Sequence, residues 1–416
     1  MKAYQTKDLR NICLVGNAGA GKTTLAEAML FAGDQIQRRG NVESGTTVSD
    51  YREIEKNRKS SVYSSVMYTE FNNRKINIFD CPGADDFAGA AIQMIQMADT
   101  TMLVLNTQNG VETGAEAAFR YAEKYQKPLM LIANQLDSEN ANYEFTMEEA
   151  RKYLGDKVAI VQYPHNPGPG FNSVVDVLLM KLVTWAPGGG KPQLQPIPED
   201  EMEKAKEYQN KLIEAAAEND ENLMEIYFDK GTLTEDEIRA GLSKGMINRI
   251  VFPVFCASAL SDMGIRRILE FTCNVLPSPD RMPAAKTQDG KEIPCDVNGP
   301  NALFSFKNTI EQHIGSVLYF KVMSGKVKEG EDFTNEKLNK ERLAQIFVNK
   351  GKERVKVEEL VAGDIGSTVK LRETGINQTL WNASEEIKFV TPEIPGPKYR
   401  TAVKCQQEAD DAKLGE

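Results

Sequence analysis

Short apolar runs mark the first third of the chain at Asn11–Val15, Ser64–Glu70, Ile76–Phe79, Thr101–Leu105 and Leu129–Ala133. Helix-length segments separate most of them, and Thr24–Phe31 carries a helical period. This alternation predicts a mostly parallel α/β sheet with ligand loops at the strand C-termini. Residues 37–62 are polar and aperiodic, the pattern of a mobile loop. From 158 to 257 the pattern changes. A Pro/Gly-rich loop (Tyr163–Phe171) precedes an apolar segment ending at Trp185 and a second loop, Ala186–Pro198. Glu199–Gly245 then reads as helical and acidic, with Leu212, Ala216, Leu223, Ile226 and Tyr227 on the face expected to be buried. A strand at Ile250–Phe255 and a helix at Ile265–Val275 follow. The polar stretch from Leu276 to Pro300 reads as a linker. Beyond it, glycine turns space the β-rich runs Val317–Val322, Leu343–Val348 and Ser367–Leu371, which predicts a small β-barrel over 301–390. The tail offers one further strand, Tyr399–Lys404, and then a charged end.

A length of 416 residues suggests roughly three domains. No apolar run approaches the ~18–20 residues of a membrane span, and MKAYQTKDLRN has no apolar core of a signal peptide. No membrane association is expected. The six cysteines form no C-x-x-C pair and suit buried thiols in a reducing cytoplasm. Two histidines, His165 and His313, leave little room for histidine chemistry. The net charge of −10 argues against a chain-wide nucleic-acid footprint. Residues 300–400, with 16 Lys/Arg against 14 Asp/Glu, are the better place for any RNA contact.

The chemistry concentrates in four loops. Leu14–Leu25 (LVGNAGAGKTTL) sets Gly16, Gly21, Lys22 and Thr23 in the spacing G-x-x-x-x-G-K-T between a strand and a helix. Backbone N–H groups of Asn17, Ala18, Gly19 and Ala20, with the helix start at Thr24, then converge on one point. With the Lys22 ammonium they can cradle a triphosphate, and Thr23 can ligate Mg²⁺. At the end of Ile76–Phe79 comes Asp80-Cys81-Pro82-Gly83. Asp80 can hold Mg²⁺ through water, and the Gly83 N–H can meet a terminal phosphate. Asn134-Gln135-Leu136-Asp137 ends another strand. A carboxylate at Asp137 accepts from guanine N1–H and its amine, whereas adenine presents an acceptor at N1. Ser258-Ala259-Leu260, after a buried strand, can offer backbone N–H groups to guanine O6.

With these loops in register the chain resembles bacterial elongation factor G, a translational GTPase. The resemblance extends through the Leu276-Pro277-Ser278-Pro279 linker and Gly315–Gly330 (GSVLYFKVMSGKVKEG). It implies an α/β P-loop GTPase domain over 1–157 and 258–290, interrupted by an inserted α+β subdomain at 158–257. An all-β translation-factor barrel would cover 291–395, with 396–416 the start of a third domain cut short. It also implies GTP/GDP and Mg²⁺ as ligands, the ribosome (rRNA and stalk protein) as partner, and a cytoplasmic monomer.

Departures from the family pattern are equally specific. The family's Asp-Thr-Pro-Gly-His is Asp80-Cys81-Pro82-Gly83-Ala84 here, so the water-orienting histidine is replaced by alanine. The apolar gate is lost at both ends, as Ala18 and Ser60, and Gly19 replaces an aspartate. Ser61 retains a hydroxyl for Mg²⁺, and Gln135 stands for the family's lysine. The expectation is a nucleotide-dependent translocation factor with weak or absent hydrolysis, a divergent second paralogue. A fully active ribosome-stimulated GTPase, or a related ribosome-protection or release-type GTPase, is the alternative.

Overall fold

The computed structural model describes residues 2–311, 314–396, 400–405 and 407. Its first sheet has the strands Leu9–Val15 (β1), Ser65–Phe71 (β2), Arg74–Asp80 (β3), Thr100–Asn106 (β4), Leu129–Asn134 (β5) and Val158–Ile160 (β6). Gln162–Pro164 (β7), Ser173–Asp176 (β8), Lys181–Thr184 (β9) and Gln193–Gln195 (β10) form a separate antiparallel sheet, and Phe252–Cys256 (β11) returns to the first. The main sheet runs β2-β3-β1-β4-β5-β11-β6. It is parallel except for β2, which pairs antiparallel with β3. Every residue of β1 is buried, as a strand covered on both faces requires. Its two polar members are satisfied: Arg10 donates to the carbonyls of Thr272 and Cys273, and Asn11 to Asp99 and the Gly363 carbonyl.

The helices around this sheet are Lys22–Ala32 (α1), Glu53–Arg58 (α2), Ala88–Met97 (α3), Thr113–Lys124 (α4) and Tyr143–Leu154 (α5). Met202–Ala217 (α6), Glu221–Lys230 (α7) and Glu235–Ile247 (α8) belong to the interrupting segment, and Ile265–Asn274 (α9) follows β11. Two expectations need correction. The ends of 158–257 are not off the sheet: β6 and β11 pair with each other inside it, so the excursion runs from 161 to 251. Residues 37–62, read as a mobile loop, contain the helix α2. Glu55 caps α2 and also accepts from the Val62 and Tyr63 N–H groups, which fixes both ends of that turn. In the acidic helices Leu212, Ala216 and Leu223 are buried, and Ile226 and Tyr227 pack partly buried against them.

The 276–300 segment holds a two-stranded ribbon, Ala285–Lys286 (β12) and Glu292–Ile293 (β13). The barrel follows with Asn301–Glu311 (β14), Gly315–Ser324 (β15), Lys326–Lys328 (β16), Asp332–Asn335 (β17), Lys340–Arg342 (β18) and Ile346–Lys350 (β19). Glu353–Val357 (β20), Glu359–Val361 (β21), Ile365–Val369 (β22) and Gln378–Asn382 (β23) complete it. Eight of these strands form one antiparallel sheet, and β16 pairs with β21 beside it. Arg400–Cys405 contains no strand, and Tyr399 of the expected tail strand lies outside the described residues.

The barrel is sealed onto the main sheet. Phe79 meets Phe306 edge-on at 5.7 Å. Lys75 Nζ and Asn77 Nδ2 both donate to Asp364, at 2.7 and 3.1 Å, and Lys321 Nζ donates to Asp99 at 2.6 Å. The segment after α1 also touches the barrel: Lys350 Nζ donates to the Gln35 carbonyl and Lys307 Nζ to that of Ser64. No helix among the described residues is long and apolar enough to cross a membrane.

Candidate functional site

The phosphate loop leaves the C-terminal end of β1 and enters α1 through Gly21, whose φ of +87° no side chain readily adopts. A Cβ there would lie 2.4 Å from Asn134 Nδ2, so glycine is also what allows the base loop to close on the phosphate loop. Lys22 Nζ donates to the carbonyls of Gly16 and Asn17 at 3.0 and 2.7 Å. Burial holds this ammonium below its ordinary value, with the Asp80 carboxylate pulling the other way. Gly83 arrives from β3 so closely that a Cβ on it would sit 2.3 Å from Lys22 Nζ and 2.6 Å from the Ala18 amide nitrogen. Thus the phosphate loop, Lys22 and Gly83 are brought together. Ala84 follows Gly83 in extended backbone and carries only a methyl group. His165 is engaged elsewhere, paired with Glu201 at 2.7 Å in the insert, and His313 lies outside the described residues.

On the other side of Lys22 sits a buried acidic pocket. Asp80 Oδ2 accepts from Thr23 Oγ1 at 2.8 Å and from Ser49 Oγ at 2.6 Å, while Thr23 Oγ1 lies 3.1 Å from Ser61 Oγ. Asp80 Oδ1 and both carboxylate oxygens of Asp50 are buried without a well-formed hydrogen bond. Burial pushes Asp80 above the usual carboxylate range. It pushes Asp50 to about 7, with the Asp80 charge adding to the effect and the Ser61 hydroxyl opposing it. Orphaned carboxylate oxygens beside three hydroxyls fit a hard divalent cation. Among the described residues no cluster of three His, Cys, Asp or Glu side chains could hold a metal, so such a cation would also need phosphate oxygens. No motif marks Ser49 or Asp50. Their segment has no period, and only tertiary packing brings it beside Asp80. Ser60 is exposed at the end of α2, and Ala18 is exposed on the phosphate loop.

The base-side loops are tied together by Asn134. Its Nδ2 donates to the Ala20 carbonyl at 2.9 Å, and its Oδ1 accepts from the Ala259 N–H at 3.0 Å. Gln135, at φ +64°, reaches the Gly19 carbonyl with Nε2 at 2.7 Å and accepts from Gln108. Asp137 Oδ2 accepts from Ser261 Oγ at 2.8 Å, which orients the carboxylate. Leu260 is two-thirds exposed, so its place in this site is through its backbone. All four predicted loops therefore converge at one end of the sheet, beyond the carboxyl ends of β1, β3, β5 and β11.

Comparison with known proteins agrees with this geometry. The model for the elongation factor Tu GTP-binding domain matches residues 7–278, and that for elongation factor G domain 2 matches 301–383. The chain belongs to the elongation-factor GTP-binding family. The two matches together place it in the translational GTPase family of the elongation factor G type, with an α/β P-loop domain followed by a domain 2 β-barrel. A crystal structure of a protein from Thermus thermophilus is similar, with a TM-score of 0.87 and 28% identity over 98% of this chain. The chain spans 59% of that protein.

Proposed function

We propose that this protein binds GTP with Mg²⁺ and acts on the ribosome to promote tRNA–mRNA translocation, with GTP hydrolysis weak or absent. The observation that carries the reading is the contrast at β3. Gly83 packs directly against the phosphate loop, where a terminal phosphate would be met, and the next side chain is the methyl of Ala84. A methyl group can neither orient water nor move a proton. The parts of the grip are largely present. Asn17–Thr24 supply the phosphate cradle, Asn134, Gln135 and Asp137 the base contacts, and Ser258–Leu260 the closing turn. Thr23, Ser61 and Asp80, with Asp50 and Ser49 behind them, would hold Mg²⁺, which neutralises phosphate charge when bound.

In this reading the triphosphate works as a conformational ligand. Residues 47–50 join the site to the barrel, since Gly351 lies so near Val48 that a Cβ would meet its carbonyl at 2.2 Å. The replacements at Ala18, Ser60 and Ala84 fit a second paralogue working beside a conventional factor. Calorimetry tests the grip: GTP and GDP should bind and ATP should not compete. Introducing the missing group tests the gap. Ala84→His in the full-length protein should raise single-turnover hydrolysis on ribosomes by ~10²–10⁴-fold. Equal, fast rates for both proteins would favour the active-GTPase alternative.

A further inference from the structure

The base-recognition loop has an anchor that none of the four motifs contains. Arg39 lies beyond α1, in the polar segment that also carries Ser49 and Asp50. Its Nη1 donates to the Leu260 carbonyl at 3.1 Å and its Nη2 to the Ala259 carbonyl. The same Nη2 reaches the Thr24 carbonyl at 3.5 Å, and Asp262 lies 3.9 Å away as counter-ion. One planar guanidinium thus spans the turn expected to meet guanine O6 and the first turn of the phosphate-loop helix. Lysine, with one point charge, could not hold both carbonyls of the turn in a fixed plane.

The backbone that follows Arg39 is fixed as well. Glu27, buried on α1, accepts from the Gly40 N–H at 2.9 Å with one oxygen and from the Val48 N–H at 3.0 Å with the other. Val48 directly precedes Ser49, which donates to Asp80. A continuous set of contacts therefore runs from the proposed metal pocket through Ser49, Val48, Glu27 and Gly40 to Arg39 and the base turn. The Ala259 residue is held at both ends, its N–H by Asn134 Oδ1 and its carbonyl by Arg39. A carbonyl bonded to a cation also polarises the N–H across the same amide plane, here that of Leu260.

We propose that Arg39 is a positioning residue for guanine recognition, coupling the metal-side segment 40–50 to the Ser258–Leu260 turn. This rests on the guanine-binding reading given above. When the segment is docked the turn is held for the base, and when it leaves the turn loosens, so metal-side opening speeds release of the whole nucleotide.

The test uses the full chain and two variants, Arg39→Ala and Arg39→Lys. The readouts are stopped-flow release of fluorescent GDP, competition by tripolyphosphate, and hydrogen exchange of residues 257–263. Arg39→Ala should accelerate GDP release roughly tenfold, the size of one charge-assisted contact, and Arg39→Lys by less. The affinity of tripolyphosphate, which has no base, should be the same for all three proteins once the competition is corrected for each protein's GDP affinity. Removing Mg²⁺ from GDP-bound protein should increase exchange at 257–263 in the parent and change it little in Arg39→Ala. Unchanged GDP release in both variants would overturn the proposal, as would parallel weakening of GDP and tripolyphosphate. A parent protein that does not prefer guanine nucleotides would instead remove the reading beneath it.

Discussion

Removing the Lys75 ammonium should loosen the barrel from the main sheet. Lys75 and Asp364 are buried 2.7 Å apart, one on β3 and the other just before β22. Deleting one member of a buried pair leaves an uncompensated charge and typically costs ~3–5 kcal/mol. Asp364 would keep two neutral donors, the Asn77 amide at 3.1 Å and the Ile365 N–H at 2.8 Å. These place Lys75→Met at the lower end, about 3 kcal/mol, or roughly 3–4 °C in Tm if the chain melts as one unit. Adding Asp364→Asn removes the stranded charge while keeping an acceptor, and should recover more than half the loss. Urea unfolding followed by tryptophan fluorescence reads the effect, because Trp381 reports on the barrel and Trp185 on the insert. A loss under ~1 kcal/mol for the single variant would refute the reasoning, since a charge stranded in that interior cannot be so cheap. A double variant no better than the single would refute it too.

The acidic pocket makes stability depend on pH. Raising Asp50 from 3.8 to about 7 means the folded state binds its proton more tightly than the unfolded chain does. The protein without Mg²⁺ should therefore lose stability as pH rises from about 4 through about 7, by up to ~4 kcal/mol. Thermal melts at pH 6 and pH 8 should show this, with Asp50→Asn reducing the slope and Mg²⁺ with GTP flattening it. A parent slope unaffected by Asp50→Asn would assign the effect elsewhere. Asp137→Asn should weaken GTP at least ~10²-fold while admitting xanthosine triphosphate, because the new amide donates where the carboxylate accepted. Competition binding checks it, and undiminished GTP affinity would take Asp137 out of the base site.

Much of the nucleotide end was legible because loop chemistry there is local. The glycines, Lys22, Thr23, Asp80, Asn134 and Asp137 each sit at a fixed offset from a buried strand, and the strand delivers them. Ser258–Leu260 could be placed for the same reason. What was not legible depends on tertiary contact between polar segments. Nothing in residues 37–62 marks Arg39, Ser49 or Asp50; the partners of Arg39 and Ser49 lie from 15 to more than 200 residues away. The sheet boundary was missed at β6 and β11 because three-residue β6 is too short to carry a period, and only its pairing with β11 reveals it. The linker reading of 276–300 overlooked the β12–β13 ribbon for the same reason.

The central claim is that the pocket holds a guanine triphosphate while no side chain aims water at its terminal phosphorus. Pre-steady-state phosphate release from the unaltered full-length protein on ribosomes addresses this most directly, with translocation followed in the same reaction. Translocation should depend on GTP and be complete before phosphate appears. A phosphate burst as fast as translocation, with Ala84 in place, would contradict it.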